Sequence, residues 1–225
     1  MNNSPRQVKR FINSDTPITF SIIVICVVLW LGQVFIPSDL VTLTLAYLPA
    51  ITEFEPWRML TTGFLHSTSS PLHLGLNMYT LYIFGRALEP ILGKLRFLVL
   101  YVISLFAGSV AVLWLNDAFG ITVGASGAIF GLMGGYLMVN RSLGYGSGQI
   151  TSLIAINLVF SFLLPGISWQ AHVGGLVAGL VVGFIYSITR RANDKTKQLL
   201  MLVGFAVFLV AATVVGVATK ISGIY

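Results

Sequence analysis

Seven apolar stretches run through this chain, at Ile18–Phe35, Pro71–Leu88, Phe97–Leu115, Ala125–Val139, Ile150–Leu164, Ala171–Ile188 and Leu199–Ala218. A helix crosses the hydrocarbon core of a bilayer with about 20 apolar residues, roughly 17 to 25 in practice. Stretches of that number and length predict an all-α fold, a polytopic membrane helix bundle. Charge agrees: 9% of the 225 residues are charged, against about 25% in soluble domains. The fourth and fifth stretches are short for a full crossing, which is tolerated where neighbouring helices, not lipid, cover the helix ends. Proline marks the boundaries. Pro17 and Pro37 flank the first stretch, Pro90 follows the second and Pro165 closes the fifth. Ser70-Pro71 reads as an N-cap followed by proline at the first helical position.

The basic residues orient the bundle. With the N-terminus cytoplasmic, the inner side holds Arg6, Lys9, Arg10, Arg86, Lys94, Arg96, Arg141, Arg190, Arg191, Lys195 and Lys197, and only Arg58 and Lys220 fall outside. This is the positive-inside pattern. The net charge of +6 is thus a topology signal, and nucleic acid is excluded as a partner; the partner is the lipid bilayer. The expected location is the cell membrane, multi-pass, with the C-terminus outside. The expected organisation is a cytoplasmic tail over 1–17, a six-span core over 18–189, a basic cytoplasmic linker over 190–198 and a seventh helix over 199–219. The first stretch has the character of an uncleaved signal-anchor. The long connection Ile36–Ser70 is too broken to span and too apolar to float free, so it reads as interfacial or re-entrant, with Trp57 and Arg58 suited to the headgroup level. The single cysteine, Cys26, allows neither a disulfide framework nor a cysteine metal site.

Polar groups in such a bundle need a reason to be there. Spans two, four and six enter from the outer face, so their first turns lie at similar depth. Those turns carry His73, Ser126 and His172, with Asn77 on the same helical face as His73. Gly127, Gly131 and Gly135 in span four, and Gly175, Gly179 and Gly183 in span six, form small-residue stripes that let helices approach closely. Close packing there would bring Ser126 within reach of His172, the geometry of a nucleophile and its base. No carboxylate lies beside them; Glu89 is about 24 Å from His73 by helix rise. Serine chemistry here therefore means a dyad, its histidine oriented by packing, with Phe130 the candidate. The unpaired N–H groups at the start of span four, the close backbone approach allowed by Gly124 and the side chains of His73 and Asn77 would supply donors for an oxyanion. Read singly, Ser126 could be a helix cap and His73 and Asn77 interhelical hydrogen-bonding partners. His66 reads as a solvated loop residue. The inner halves of spans two, four and six hold no buried charge, which argues against a transporter.

Together these residues resemble the rhomboid intramembrane serine proteases. The matching pieces are Trp57-Arg58, His73-x-x-x-Asn77, Gly124-x-Ser126-Gly127 and Ala171-His172-x-x-Gly175-x-x-x-Gly179, in the family's order, within about residues 18 to 189. The resemblance implies a six-helix rhomboid-like core with an extra C-terminal helix. It implies that Ser126 is the nucleophile and His172 the general base, with His73, Asn77 and the Ser126 N–H forming the oxyanion hole. Family members often have tyrosine at the position of Phe130; phenylalanine keeps the ring and loses the hydroxyl. The fifth helix and the loop at about Gly166–Gln170 are implicated, in the family, in substrate access. The implied activity is cleavage of transmembrane protein substrates near their outer ends, with no metal or organic cofactor. The alternative is a rhomboid-like protein that binds membrane helices without cutting them.

Overall fold

Proline opens the first two long helices, at a position where the missing N–H has no helical partner to lose. In the computed structural model, which describes residues 16–221, α1 runs over Pro17–Phe35 and α2 over Pro71–Leu92. Then come α3, Lys94–Leu115; α4, Ser126–Ser142; α5, Gly148–Leu163; α6, Trp169–Ile188; and α7, Lys195–Gly216. No strand occurs among the described residues, and the chain is an all-α, multi-pass membrane bundle. Arg6, Lys9, Arg10 and most of the expected 1–17 tail lie outside the described residues.

The helices differ in how they tolerate lipid. α1, α3, α6 and α7 are long and apolar enough to span by themselves, whereas α5 is a shorter apolar helix. α4, at 17 residues, is short for a different reason: from Gly127 to Gly135 every residue is buried by protein. It is the axis of the bundle, packed against both α3 and α6. The α4–α6 contact is a backbone contact. A β-carbon at Gly175 would collide with the Gly127 carbonyl, and one at Gly179 with the Gly131 carbonyl. The two stripes thus face each other, and only glycine permits this approach.

Some boundaries move. Pro90 lies inside the last turn of α2 instead of beyond it. Ser70 precedes the helix but makes no side-chain cap. α7 begins at Lys195, so Lys195 and Lys197 form its first turn and are not part of a linker. Gln198 ties that turn to the bundle, donating to Thr189 Oγ1 at 2.7 Å and accepting from Arg96 Nε at 3.0 Å.

Two charges sit deeper than expected. Glu89 is buried, against the expectation that the inner halves hold no buried charge. Its carboxylate accepts from the Ile18 and Thr19 N–H groups, each at 2.9 Å, and from Thr19 Oγ1 at 2.7 Å. The unpaired donors at the start of α1 thereby gain an anion, the arrangement a helix N-terminus favours. Arg58, expected at headgroup level, is also buried; it pairs with Glu55 and donates from Nη1 to the Ala46 carbonyl at 3.0 Å. Trp57 is half exposed. The Ile36–Ser70 connection folds into two short helices, Leu40–Leu45 and Arg58–Thr61, with 3-10 turns before, between and after them. It braces the run into α4: Tyr47 and Thr122 exchange backbone hydrogen bonds at 3.2 and 2.9 Å, and Thr62 Oγ1 donates to the Thr122 carbonyl.

Candidate active site

Ser126 is the first residue of α4, and the bend before it sets its direction. Gly124 has a φ of +132°, a conformation L side chains rarely adopt. A β-carbon there would lie 3.2 Å from both Cε1 and Nε2 of His73 and 3.6 Å from Ser126 Oγ. Glycine is needed twice, for the backbone angle and for the space. The Gly124 N–H donates to the Thr62 carbonyl at 3.1 Å, so the brace from the long connection ends at this bend.

Three helices deliver side chains to the space around Gly124. His172, the fourth residue of α6, places Nε2 2.7 Å from Ser126 Oγ. Its ring is buried, while Ser126 is partly accessible. The Phe130 ring, one turn along α4 from Ser126, stacks on the imidazole with centroids 4.3 Å apart and planes inclined by 17°. His172 Nδ1 lies 2.6 Å from Ser161 Oγ on α5, a residue the sequence reasoning does not single out. The available signal is a serine in the last turn of a helix, flanked there by Phe160, Phe162 and Leu163.

His73 comes from the first turn of α2. The Ser67 backbone N–H donates to its Nδ1 at 3.2 Å. A ring nitrogen that accepts carries no proton, so the neutral ring holds its proton on Nε2, the atom beside Gly124. Asn77, one turn further along α2, donates from Nδ2 to the His73 carbonyl at 2.8 Å. The structure therefore gathers Ser126, His172 and His73 around Gly124, with Asn77 tethered to its own helix. A hydroxyl within hydrogen-bond distance of an imidazole nitrogen, with a second imidazole N–H facing the same space, can support nucleophilic attack and stabilise a developing anion.

His66 departs from expectation. It is fully buried, not solvated, and its backbone N–H donates to Gln33 Oε1 at 3.0 Å. Its ring stands 5.3 Å from that of His73, centroid to centroid. Burial, with repulsion from His73 second, lowers its pKa from 6.5 to about 4, so at neutral pH it is an uncharged wall behind His73.

Comparison with known proteins bears on the same stretch. The family model for the Rhomboid domain matches residues 53–189. YdcA of Bacillus subtilis (strain 168) is 34% identical over 180 residues, covering 75% of this chain and 88% of that protein. RHOMBOID-like protein 6, mitochondrial, of Arabidopsis thaliana is 35% identical over 195 residues, covering 75% of this chain and 62% of that protein. The rhomboid protease GluP of Bacillus subtilis (strain 168) is 34% identical over 169 residues, covering 73% of this chain and 32% of that protein. The chain thus spans less than two thirds of the plant relative and about a third of GluP.

Proposed function

Because the chain belongs to the rhomboid family, we propose that it is an intramembrane serine endopeptidase that cuts transmembrane segments of other proteins near their outer ends. The observation that carries this reading is the 2.7 Å approach of His172 Nε2 to Ser126 Oγ, at the start of α4. The relatives include one named a rhomboid protease, which supports the same reading.

The chemistry follows from the residues. Ser126 Oγ attacks the scissile carbonyl carbon and its proton passes to His172 Nε2. The new C–O bond gives a tetrahedral intermediate, whose oxyanion accepts from the Ser126 N–H, from His73 Nε2–H and from the second N–H of Asn77. The C–N bond then breaks, and His172 returns the proton to the leaving amine nitrogen. Water enters next, giving one proton to His172 and its oxygen to the acyl carbon. The ester bond opens, the proton returns to Ser126, and a carboxylic product leaves. A dyad of this kind needs no metal or organic cofactor. The substrate helix must unwind at the cut, because a regular helix hides its carbonyls in its own hydrogen bonds; small or helix-weakening residues there favour cleavage.

The charge distribution supports a cytoplasmic N-terminus and an outer C-terminus, which puts Ser126 near the outer face of the membrane, the cell membrane in this reading. An alkyl fluorophosphonate tests the nucleophile without a known substrate. The protein in detergent should be labelled at one residue, Ser126, and His172→Ala should abolish the labelling. Labelling elsewhere, or none, would instead favour a rhomboid-like binder of membrane helices.

A further inference from the structure

Ser161 is the only buried residue in the outer half of α5. Phe160, Phe162, Leu163 and Leu164 around it are all half exposed or more, so the helix packs here on one side, and the inward position holds a hydroxyl.

The hydrogen bonds of that hydroxyl decide the protonation pattern of His172. A serine has one proton to give. Ser161 Oγ lies 2.7 Å from the Asn157 carbonyl oxygen, which can only accept. With its proton engaged there, the same oxygen must accept from His172 Nδ1, 2.6 Å away. His172 then carries its proton on Nδ1 and presents the lone pair of Nε2 to Ser126 Oγ, 2.7 Å distant.

The geometry points to Ser161 as a positioning residue for the reaction. It fixes the tautomer and the ring plane of His172 so that Nε2 is the base toward Ser126. It stands where a triad has a carboxylate, but it is neutral and it reaches across from another helix. Phe130 restrains one face of the ring; Ser161 restrains rotation within the ring plane. Because Ser161 belongs to α5 and His172 to α6, the orientation of the base depends on α5 being packed against α6. This inference rests on the reading of Ser126 and His172 as nucleophile and base.

The test compares wild type with Ser161→Ala, Ser161→Cys and Ser161→Thr in detergent. The readout is the rate at which a fluorophosphonate labels Ser126, with the melting temperature as the control for folding. Alanine and cysteine keep the packing but remove the oxygen acceptor, and should slow labelling by about tenfold with melting unchanged. Threonine keeps the oxygen and should label faster than alanine. On a cleaved substrate the loss should fall on kcat, with KM unchanged. If alanine melts early, cysteine decides the comparison. Wild-type rates in the variants lacking the oxygen, or a threonine variant no faster than alanine, would overturn the role of Ser161 and leave the protease intact. Failure of wild type to label at Ser126 would remove the protease reading and this inference with it.

Discussion

The phenyl ring of Phe130 lies flat on the imidazole of His172, 4.3 Å away. Phe130 and Ser126 are one turn apart on α4, so a single helix carries both the hydroxyl and the plate against which the facing histidine rests. An aromatic stack of this kind is worth about 0.5 to 1.5 kcal/mol beyond its buried area. Phe130→Ala should lower kcat, by up to about tenfold, while Phe130→Tyr retains most activity. Cleavage rates at saturating substrate check both.

The backbone contact of α4 and α6 makes a second prediction. Gly175→Ala drives a methyl group into the Gly127 carbonyl, an atom that cannot rotate away. Overpacking costs about 1 to 3 kcal/mol where side chains can yield, and this site belongs at the upper end. The melting temperature in detergent should fall and labelling of Ser126 should fall with it. Gly204→Ala on α7, where a β-carbon meets open space, should leave both unchanged.

Glu89 holds the N-terminus of α1. Glu89→Gln keeps the shape and removes the charge, which should cost about 1 to 2 kcal/mol through the lost interaction with the helix start. Denaturation in detergent measures it, and unchanged stability would assign the carboxylate no such role.

Much of this architecture is local and therefore readable from sequence. The seven helices follow from apolar runs, and the meeting of α4 with α6 follows from two glycine stripes in matching register. Ser126, His172 and His73 converge because three helices begin at one face. Burial set by distant partners was not readable. His66 looks like a loop histidine until Gln33, on α1, is seen to hold its backbone. Glu89 looks like a helix-end charge until α1 supplies its donors, and Arg58 looks like a headgroup-level charge until the Ala46 carbonyl is found beside it. Ser161 is of the same kind: its meaning lies in a nitrogen eleven residues later on another helix.

His66 predicts a pH dependence. Its pKa is lowered from 6.5 to about 4 in the folded protein. Between those values the unfolded chain binds a proton that the folded chain does not, so stability falls as pH drops through this window and is independent of this group above it. The melting temperature should decrease from pH 7 to pH 5, and His66→Phe should remove part of that slope. A flat wild-type profile would contradict the assignment.

Cleavage itself tests the central claim most directly. A single-span membrane protein with small residues near its outer end would be incubated with the purified chain and with Ser126→Ala, and the intact masses of the products measured. The account predicts one defined cut near the outer end of the span, made by wild type and absent in the variant. Equal cutting by both proteins would contradict Ser126 as the nucleophile, and no cutting by either across several such substrates would contradict the protease.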